Sequence, residues 1–208
     1  MDVEKLKNKL IILEGPDRAG KSSIGQLLAD YLNKNKISTI LTYQPGDLNW
    51  GVDAALVRSL CKDSRHNLHP LSNFFAFQLD RVEQIDKIVE PALKSGKTVI
   101  SDRWSYSTIA YQLYGQQLLE KYKIPKAVLD WLISSAIITK EPDYVLYFYK
   151  KVSNEVPNKY DKFDNANNSF MQRVNDAYEM MYKKYNNWIK IESGNNSEET
   201  LKNILSKL

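Results

Sequence analysis

Hydrophobic residues follow two alternating periods along the chain, one typical of buried strands and one typical of helices. Short apolar runs predict strands over residues 9–14, 37–43, 98–101, 144–149 and 188–191. After the first strand, apolar residues recur three or four positions apart and predict a helix. Further helices are predicted over residues 52–60, 71–94, 107–114, 125–135, 169–185 and from 197 onward. This alternation predicts an α/β fold with one mostly parallel sheet.

The loop between the first strand and the first helix matches the phosphate-binding pattern G-x-x-x-x-G-K-[ST], in the context that this pattern requires. Its glycines let the backbone wrap an anion, and the start of the helix favours negative charge. We expect Lys21 to reach the β- and γ-phosphates of a nucleoside triphosphate and Ser22 to hold Mg²⁺. The residues expected around the triphosphate are Gly15, Pro16, Asp17, Arg18, Ala19, Gly20, Lys21, Ser22 and Ser23. The pattern alone does not separate a kinase from a GTPase or an ATPase.

A second charged motif, Asp102-Arg103, follows the third predicted strand. Because the carboxyl ends of parallel strands line the ligand crevice, we expect both side chains to face the phosphate loop. Asp102 there could hold Mg²⁺ or its water, and Arg103 could bind a second phosphate with two hydrogen bonds. Without the phosphate loop, the pair would be interpreted as an ordinary ion pair at a strand end.

Length and charge narrow the class of protein. A chain of 208 residues with 43% hydrophobic content can bury one sizeable core, so we expect a single domain over residues 1–208. A net charge of +4, from 29 basic and 25 acidic residues, argues against a nucleic-acid partner. No apolar run approaches the ~20 residues that cross a membrane, and the N-terminus lacks the pattern of a signal peptide. We therefore expect a cytoplasmic protein with no membrane partner.

Residues 150–168 form a polar stretch that is rich in lysine and asparagine and has no clear period. A loop of this length in a compact domain is usually functional or disordered. We interpret this stretch as a lid.

Several motifs together resemble the thymidylate kinases, which phosphorylate dTMP with ATP and Mg²⁺. The similar stretches are residues 11–14 with the phosphate loop, Gln44-Pro45-Gly46, residues 77–81 (Phe-Gln-Leu-Asp-Arg), Asp102-Arg103-Trp104 with residues 107–112, and residues 161–164. The resemblance implies a P-loop NTPase fold: a three-layer sandwich with a five-stranded parallel sheet, helices on both faces and a lid loop. It also implies a homodimer.

The resemblance further implies a role for each matching residue. Phe77 would stack on thymine, Arg81 would hydrogen-bond a base carbonyl, and Tyr111 would lie against the deoxyribose. The full set implied for dTMP binding is Gln44, Pro45, Arg58, Phe77, Arg81, Arg103, Ser107, Thr108, Tyr111 and Gln112. The implied catalytic residues are Asp17, Arg18, Lys21 and Arg103. Ser22 and Asp102 would hold Mg²⁺, partly through water. On helical period alone, Phe77 and Tyr111 would instead be core aromatics.

Three positions depart from the family pattern. Gln44 replaces a usual glutamate, Tyr43 stands where many bacterial members have arginine, and Lys162 replaces an arginine at the end of the lid. Family members carry the catalytic arginine either in the phosphate loop or in the lid, and Arg18 fits the first pattern. The chain thus resembles a hybrid, with a bacterial-type acceptor site and a eukaryotic-type phosphate loop.

Other functions remain open at this point. Residues 158–161 (Asn-Lys-Tyr-Asp) match the guanine-reading pattern of GTPases, although they do not follow a strand directly. A non-catalytic nucleotide-binding module would not need the second arginine cluster. Within the kinases, a broader deoxynucleoside monophosphate kinase or a deoxynucleoside kinase is the alternative. A deoxynucleoside kinase would use a carboxylate base, which Gln44 does not supply.

Overall fold

A computed structural model describes residues 3–51, 53–137, 140–149, 168–192 and 196–208. Its centre is a sheet of five parallel strands in the order β2-β3-β1-β4-β5. The strands are β1 (Leu10–Glu14), β2 (Thr39–Tyr43), β3 (Thr98–Asp102), β4 (Tyr144–Tyr149) and β5 (Trp188–Glu192). Each of the five predicted strands is present, and the predicted α/β class is confirmed.

Helices cover both faces of this sheet. They are α1 (Lys21–Lys34), α2 (Ala54–Lys62), α3 (Pro70–Gln84), α4 (Glu90–Lys94), α5 (Ser105–Thr108), α6 (Lys126–Ile137), α7 (Asn168–Lys184) and α8 (Ser197–Lys207). In the described part of the chain, no helix is both long enough and apolar enough to cross a membrane.

Two of the predicted helices contain wide, π-helical turns. The helix predicted over residues 71–94 is continuous, but a π-helical turn at Ile85–Val89 separates α3 from α4. Pro91 follows this turn in α4, where the regular hydrogen-bond pattern of the helix is already interrupted and a missing N–H is accommodated. The helix predicted over residues 107–114 begins as α5 and continues as a π-helical segment, Ile109–Gly115. Such turns are frequent at functional sites.

The core lies in two layers, one on each face of the sheet. Alternate residues of β1 enter opposite layers: Leu10 and Ile12 pack in one, Ile11 and Leu13 in the other. The first layer also contains residues of α3, α6 and α7, and the second contains residues of α1 and α8. This arrangement is the expected three-layer sandwich.

The carboxyl ends of β1 and β3 meet at one edge of the sheet, since Leu13 pairs with Asp102. The phosphate loop runs from this edge into α1. Its first residue, Gly15, has a φ of 136°, and a Cβ there would collide with the backbone carbonyl oxygen of Phe148. Only glycine fits that position. The topology therefore places the phosphate loop beside Asp102 and Arg103, as the sequence predicts.

Candidate active site

Two clefts meet at the carboxyl edge of the sheet. The first, of about 220 Å³, follows the phosphate loop and the start of α1. It is lined by Asp17, Arg18, Gly20, Lys21, Ser22, Ser23, Asp102 and Arg103. Most of the residues predicted around the triphosphate thus share one cavity. Ala19 is instead buried in the apolar layer of α1, and Gly15 and Pro16 contribute backbone carbonyls.

Lys21 is almost fully buried in the first cleft, and its ammonium donates a hydrogen bond to the carbonyl oxygen of Pro16 at 2.6 Å. Burial, and after it the charge of Arg103, lower the pKa of Lys21 to about 8, although the charges of Asp102, Asp17 and Glu14 oppose the change. A phosphate bound nearby would favour the charged form of Lys21.

The chemistry expected of a Mg²⁺ site is present at the base of the first cleft. The Ser22 hydroxyl donates a hydrogen bond to Asp102 Oδ2. Asp102 Oδ1 is buried and has no hydrogen-bond partner among the described residues. A hydroxyl and a carboxylate with a spare lone pair are hard oxygen donors, which Mg²⁺ prefers. Ser22 and Asp102 therefore fit the ion that the sequence predicts there.

The second cleft, of about 30 Å³, lies between the phosphate loop and the helical segment after β3. It is lined by Asp17, Pro45, Lys62, Phe77, Arg103, Ser107, Thr108, Tyr111 and Gln112. Seven of these nine residues belong to the set that the sequence implies for dTMP binding. Asp17 and Arg103 line both clefts and form their common wall.

An ion pair holds that common wall together. Arg103 donates to Asp17 Oδ1 through its guanidinium, and the Tyr111 hydroxyl donates to Asp17 Oδ2 at 2.9 Å. Burial alone would raise the pKa of Asp17, but the charges of Arg103, Lys21 and Lys62 hold it well below its usual range. Asp17 is therefore an anion that two clefts share, and its cationic partners can also bind phosphate.

Hydrogen-bonding groups lie in the wall of the second cleft and directly behind it. Arg81 is fully buried, and its guanidinium donates to Gln78 Oε1 and to the Thr108 hydroxyl, the latter at 2.7 Å. Burial lowers the pKa of Arg81 to about 10. Gln112 is fully buried, and neither its amide oxygen nor its amide nitrogen has a partner in the described ranges. With Phe77 beside them, these groups can bind a flat ring that has polar edges.

Besides Arg81, which lies behind Thr108, two residues predicted in the acceptor site do not line the second cleft. The amide of Gln44 points away, because it donates to Gln84 Oε1 at 2.6 Å. Arg58 is exposed; it donates to the Pro45 carbonyl oxygen at 2.6 Å and lies over the ring of Tyr43. Both residues therefore shape the loop after β2 in this structure, and neither faces the cleft.

Sequence reasoning missed three residues of the site. Lys62 lies one helical turn after Arg58 and takes the place in the cleft that Arg58 was expected to occupy. Asp80 is buried and accepts from the Gly46 amide at 2.6 Å and from Trp50 Nε1 at 3.2 Å. Its pKa is raised to about 6 by burial. Glu14, at the end of β1, is buried against α5. Two sequence signals could have pointed to them: Lys62 lies one helical turn after Arg58, and Asp80 directly precedes Arg81.

The residues proposed as a lid lie outside the described part of the chain, except for Asn168, which begins α7. Lys162 and the Asn-Lys-x-Asp pattern at residues 158–161 lie there too.

Comparisons with known proteins agree with this geometry. The family model described as Thymidylate kinase matches residues 13–204. A thymidylate kinase of Dehalococcoides mccartyi is 31% identical over 201 residues, which cover 95% of this chain and 94% of that protein. A thymidylate kinase of Legionella pneumophila is 29% identical over 211 residues, or 98% of this chain and 95% of that protein.

A solved structure is similar as well. The crystal structure of thymidylate kinase from Ehrlichia chaffeensis superposes with a TM-score of 0.73 at 28% identity, and the match covers 96% of this chain and 97% of that chain. The fold, the residues that line the clefts and the family match all support the same assignment. The chain belongs to the thymidylate kinase family.

Proposed function

We propose that the chain transfers the γ-phosphoryl group of ATP to dTMP and so forms dTDP. One observation carries the proposal: the phosphate-loop cleft and the second cleft share the wall formed by Asp17 and Arg103. Phosphoryl transfer needs the donor and acceptor phosphates roughly in line and close together. Two clefts that meet at one arginine and one carboxylate provide that arrangement.

On the donor side, Lys21 and Arg18 bind the phosphates of ATP. Lys21 releases the Pro16 carbonyl and pairs with the triphosphate, whose negative charge restores its proton. Ser22 and Asp102 hold Mg²⁺, partly through water, and a bound Mg²⁺ neutralises charge on the phosphate oxygens. Arg18 supplies the positive charge that stabilises the transferring group, in the position that other members fill from the lid.

On the acceptor side, Arg103 leaves its ion pair with Asp17 and binds the phosphate of dTMP, with Lys62 as a second cation. Phe77 stacks on thymine, while Arg81, Thr108 and Gln112 read the polar edge of the base. Ser107 orients Arg103, since Arg103 donates to the Ser107 hydroxyl at 2.9 Å.

We also propose that the chain forms a homodimer through α3 and α6. On α3, Phe75, Leu79 and Val82 form one stripe and are 52%, 52% and 51% exposed. On α6, Trp131 is 59% exposed. The two helices are adjacent, because Gln78 on α3 donates to a backbone carbonyl of α6 at 3.1 Å. Exposed apolar residues of this size commonly mark an interface between proteins. The single-domain organisation and the cytoplasmic location stay predictions.

A direct assay tests the proposed reaction. The purified chain with ATP, Mg²⁺ and dTMP should release ADP in a coupled assay and form dTDP, identified by chromatography. Lys21→Ala should abolish transfer and keep the circular-dichroism spectrum of the wild type, because Lys21 makes one hydrogen bond within its own loop. ADP release that does not depend on dTMP would contradict the proposal.

Sedimentation equilibrium tests the dimer separately. The wild type should sediment as a dimer at micromolar concentration, and Leu79→Glu should sediment as a monomer. A monomeric wild type would contradict the proposed interface.

A further inference from the structure

Glu14 ends β1 at the point where the two clefts meet, and its side chain is fully buried. An ionised carboxylate is costly to bury unless hydrogen bonds and opposite charges compensate it. The contacts of Glu14 show what compensates this one, and they come from the segment after β3 and from α7.

One carboxylate oxygen binds the start of the helical segment that carries Thr108, Tyr111 and Gln112. Oε1 of Glu14 accepts from the backbone amide of Trp104 at 2.9 Å and from that of Ser107 at 3.1 Å. Trp104 precedes α5, and Ser107 lies in its first turn. Amides at the start of a helix have no partner within the helix, and a negative charge there is favourable. Glu14 therefore caps this segment from a neighbouring strand.

The other carboxylate oxygen reaches Arg103 through Ser107. Oε2 accepts from the Ser107 hydroxyl at 2.5 Å and from the Tyr178 hydroxyl at 3.0 Å. The Ser107 hydroxyl in turn accepts from the guanidinium of Arg103 at 2.9 Å. Because its proton points at Glu14, its lone pairs face Arg103. The carboxylate thus sets the orientation of the hydroxyl that holds Arg103.

Charges around Glu14 match this role. Burial raises the pKa of Glu14 above its usual value, although the hydrogen bonds from Ser107 and the charge of Arg103 oppose this. Glu14 in turn favours the charged forms of Lys21 and Arg81. Its two oxygens accept four hydrogen bonds, as those of an ionised carboxylate do, and it lies among three cations of the site.

We infer that Glu14 is a positioning residue for the acceptor: it fixes the helical segment 105–115 and the Arg103 guanidinium in the geometry that binds the acceptor nucleotide. Glu14 itself does not touch substrate. The inference rests on the proposed function and adds to it a selective effect, because the hydrogen bonds of Glu14 among the described residues go to Trp104, Ser107 and Tyr178, which do not line the ATP cleft.

Steady-state kinetics with each substrate varied in turn tests this selectivity. Glu14→Gln keeps the shape of the side chain but places an amide NH₂ where one oxygen accepts two hydrogen bonds. Losing hydrogen bonds to a charged group should lower kcat/KM for dTMP by about 10- to 100-fold. At pH 7 or below, under the pKa of Lys21 that Glu14 helps to raise, KM for ATP should stay within about two-fold. Titration calorimetry with dTMP alone should show the same loss of affinity.

Tyr178→Phe offers a milder variant should Glu14→Gln fail to fold. It removes one of the four hydrogen bonds and should lower kcat/KM for dTMP by about three-fold. Tyr147→Phe is the matched control, because the Tyr147 hydroxyl also donates to a glutamate, Glu179, at 3.0 Å, but outside the site. Its kinetic constants should equal those of the wild type.

Equal losses for ATP and dTMP would show that Glu14 has a general structural role and would overturn the inference. Unchanged dTMP kinetics in Glu14→Gln, or in Tyr178→Phe where the first variant does not fold, would overturn it too. An inactive wild type would instead refute the proposed function, whereas these outcomes require an active one.

Discussion

We expect the side chain of Gln112 to destabilise the free protein and to contribute to substrate binding. Its side chain is fully buried, and neither polar atom of its amide has a partner in the part of the chain described by the structure. Buried polar groups are almost always hydrogen-bonded, and each one that is not costs about 1–3 kcal/mol. Such a cost is reasonable where the amide is kept for a ligand.

Replacing Gln112 with methionine removes both polar atoms and keeps the length of the side chain. We expect Gln112→Met to raise the free energy of unfolding by about 1–3 kcal/mol, since the unpartnered amide is lost. For a chain of this size, each kcal/mol raises Tm by about 2–4 °C. The same change should lower kcat/KM for dTMP about 10-fold, because a hydrogen bond to the base is lost.

Gln84 provides the matched control. It is equally buried, but its amide donates to the Thr42 hydroxyl at 2.7 Å and to the Tyr43 carbonyl oxygen at 2.8 Å, and accepts from Gln44. Gln84→Met should therefore lower the free energy of unfolding by at least about 2 kcal/mol, because it leaves these partners without a hydrogen bond. Thermal and urea unfolding without substrate compare the two variants. Equal destabilisation by both would refute the assignment of Gln112 as a ligand-reading amide.

Three further predictions concern charged groups. Because the pKa of Lys21 is about 8 in the free protein, the affinity for ATP should fall as pH rises above about 8. Lys21→Met should bind ATP weakly, and its affinity should not change over this pH range. A fluorescent ATP analogue measures both affinities. The pKa of Asp80 is raised from 3.8 to about 6, so its protonated form is favoured in the folded protein. Between pH 4 and pH 7 the free energy of unfolding of the wild type, measured with urea, should therefore fall by up to about 3 kcal/mol relative to that of Asp80→Asn. A difference between the two proteins that does not change with pH would contradict this. Arg18→Ala should lower kcat by about 10³-fold and Lys162→Ala by less; the reverse ranking would place the catalytic cation in residues 150–168.

The fold was predictable because its signals are local. Each strand is a short apolar run, and Gly15 to Ser22 must lie where a strand turns into a helix. Segment ends were less predictable: the last helix begins at Ser197 as predicted, but the residue that caps it is Asn196, whose side chain accepts from two backbone amides. Two neighbouring residues that can both cap a helix leave its first residue uncertain by one position.

The candidate site was predictable only where one motif contains several of its residues. Lys21, Ser22, Asp102 and Arg103 lie in two short motifs, and the structure brings them together. The direction of a side chain was not predictable, because it depends on partners distant in sequence. Arg58 turns to the Pro45 carbonyl, and Lys62 lines the cleft in its place. The sequence identifies Glu14 only as the last residue of a strand, because its partners lie on α5 and α7, far away in the chain.

Acceptor choice tests the central claim most directly. The coupled ADP-release assay should be run with dTMP, dUMP, dCMP and thymidine, and kcat/KM compared at fixed ATP. The account predicts that dTMP is best and that dUMP is several-fold poorer, since the methyl group contributes about 1 kcal/mol. It predicts that dCMP is poorer still, because dCMP offers an amino group where Arg81 would bind a carbonyl, and that thymidine is not phosphorylated. Equal kcat/KM for dTMP and dCMP, or efficient phosphorylation of thymidine, would contradict it.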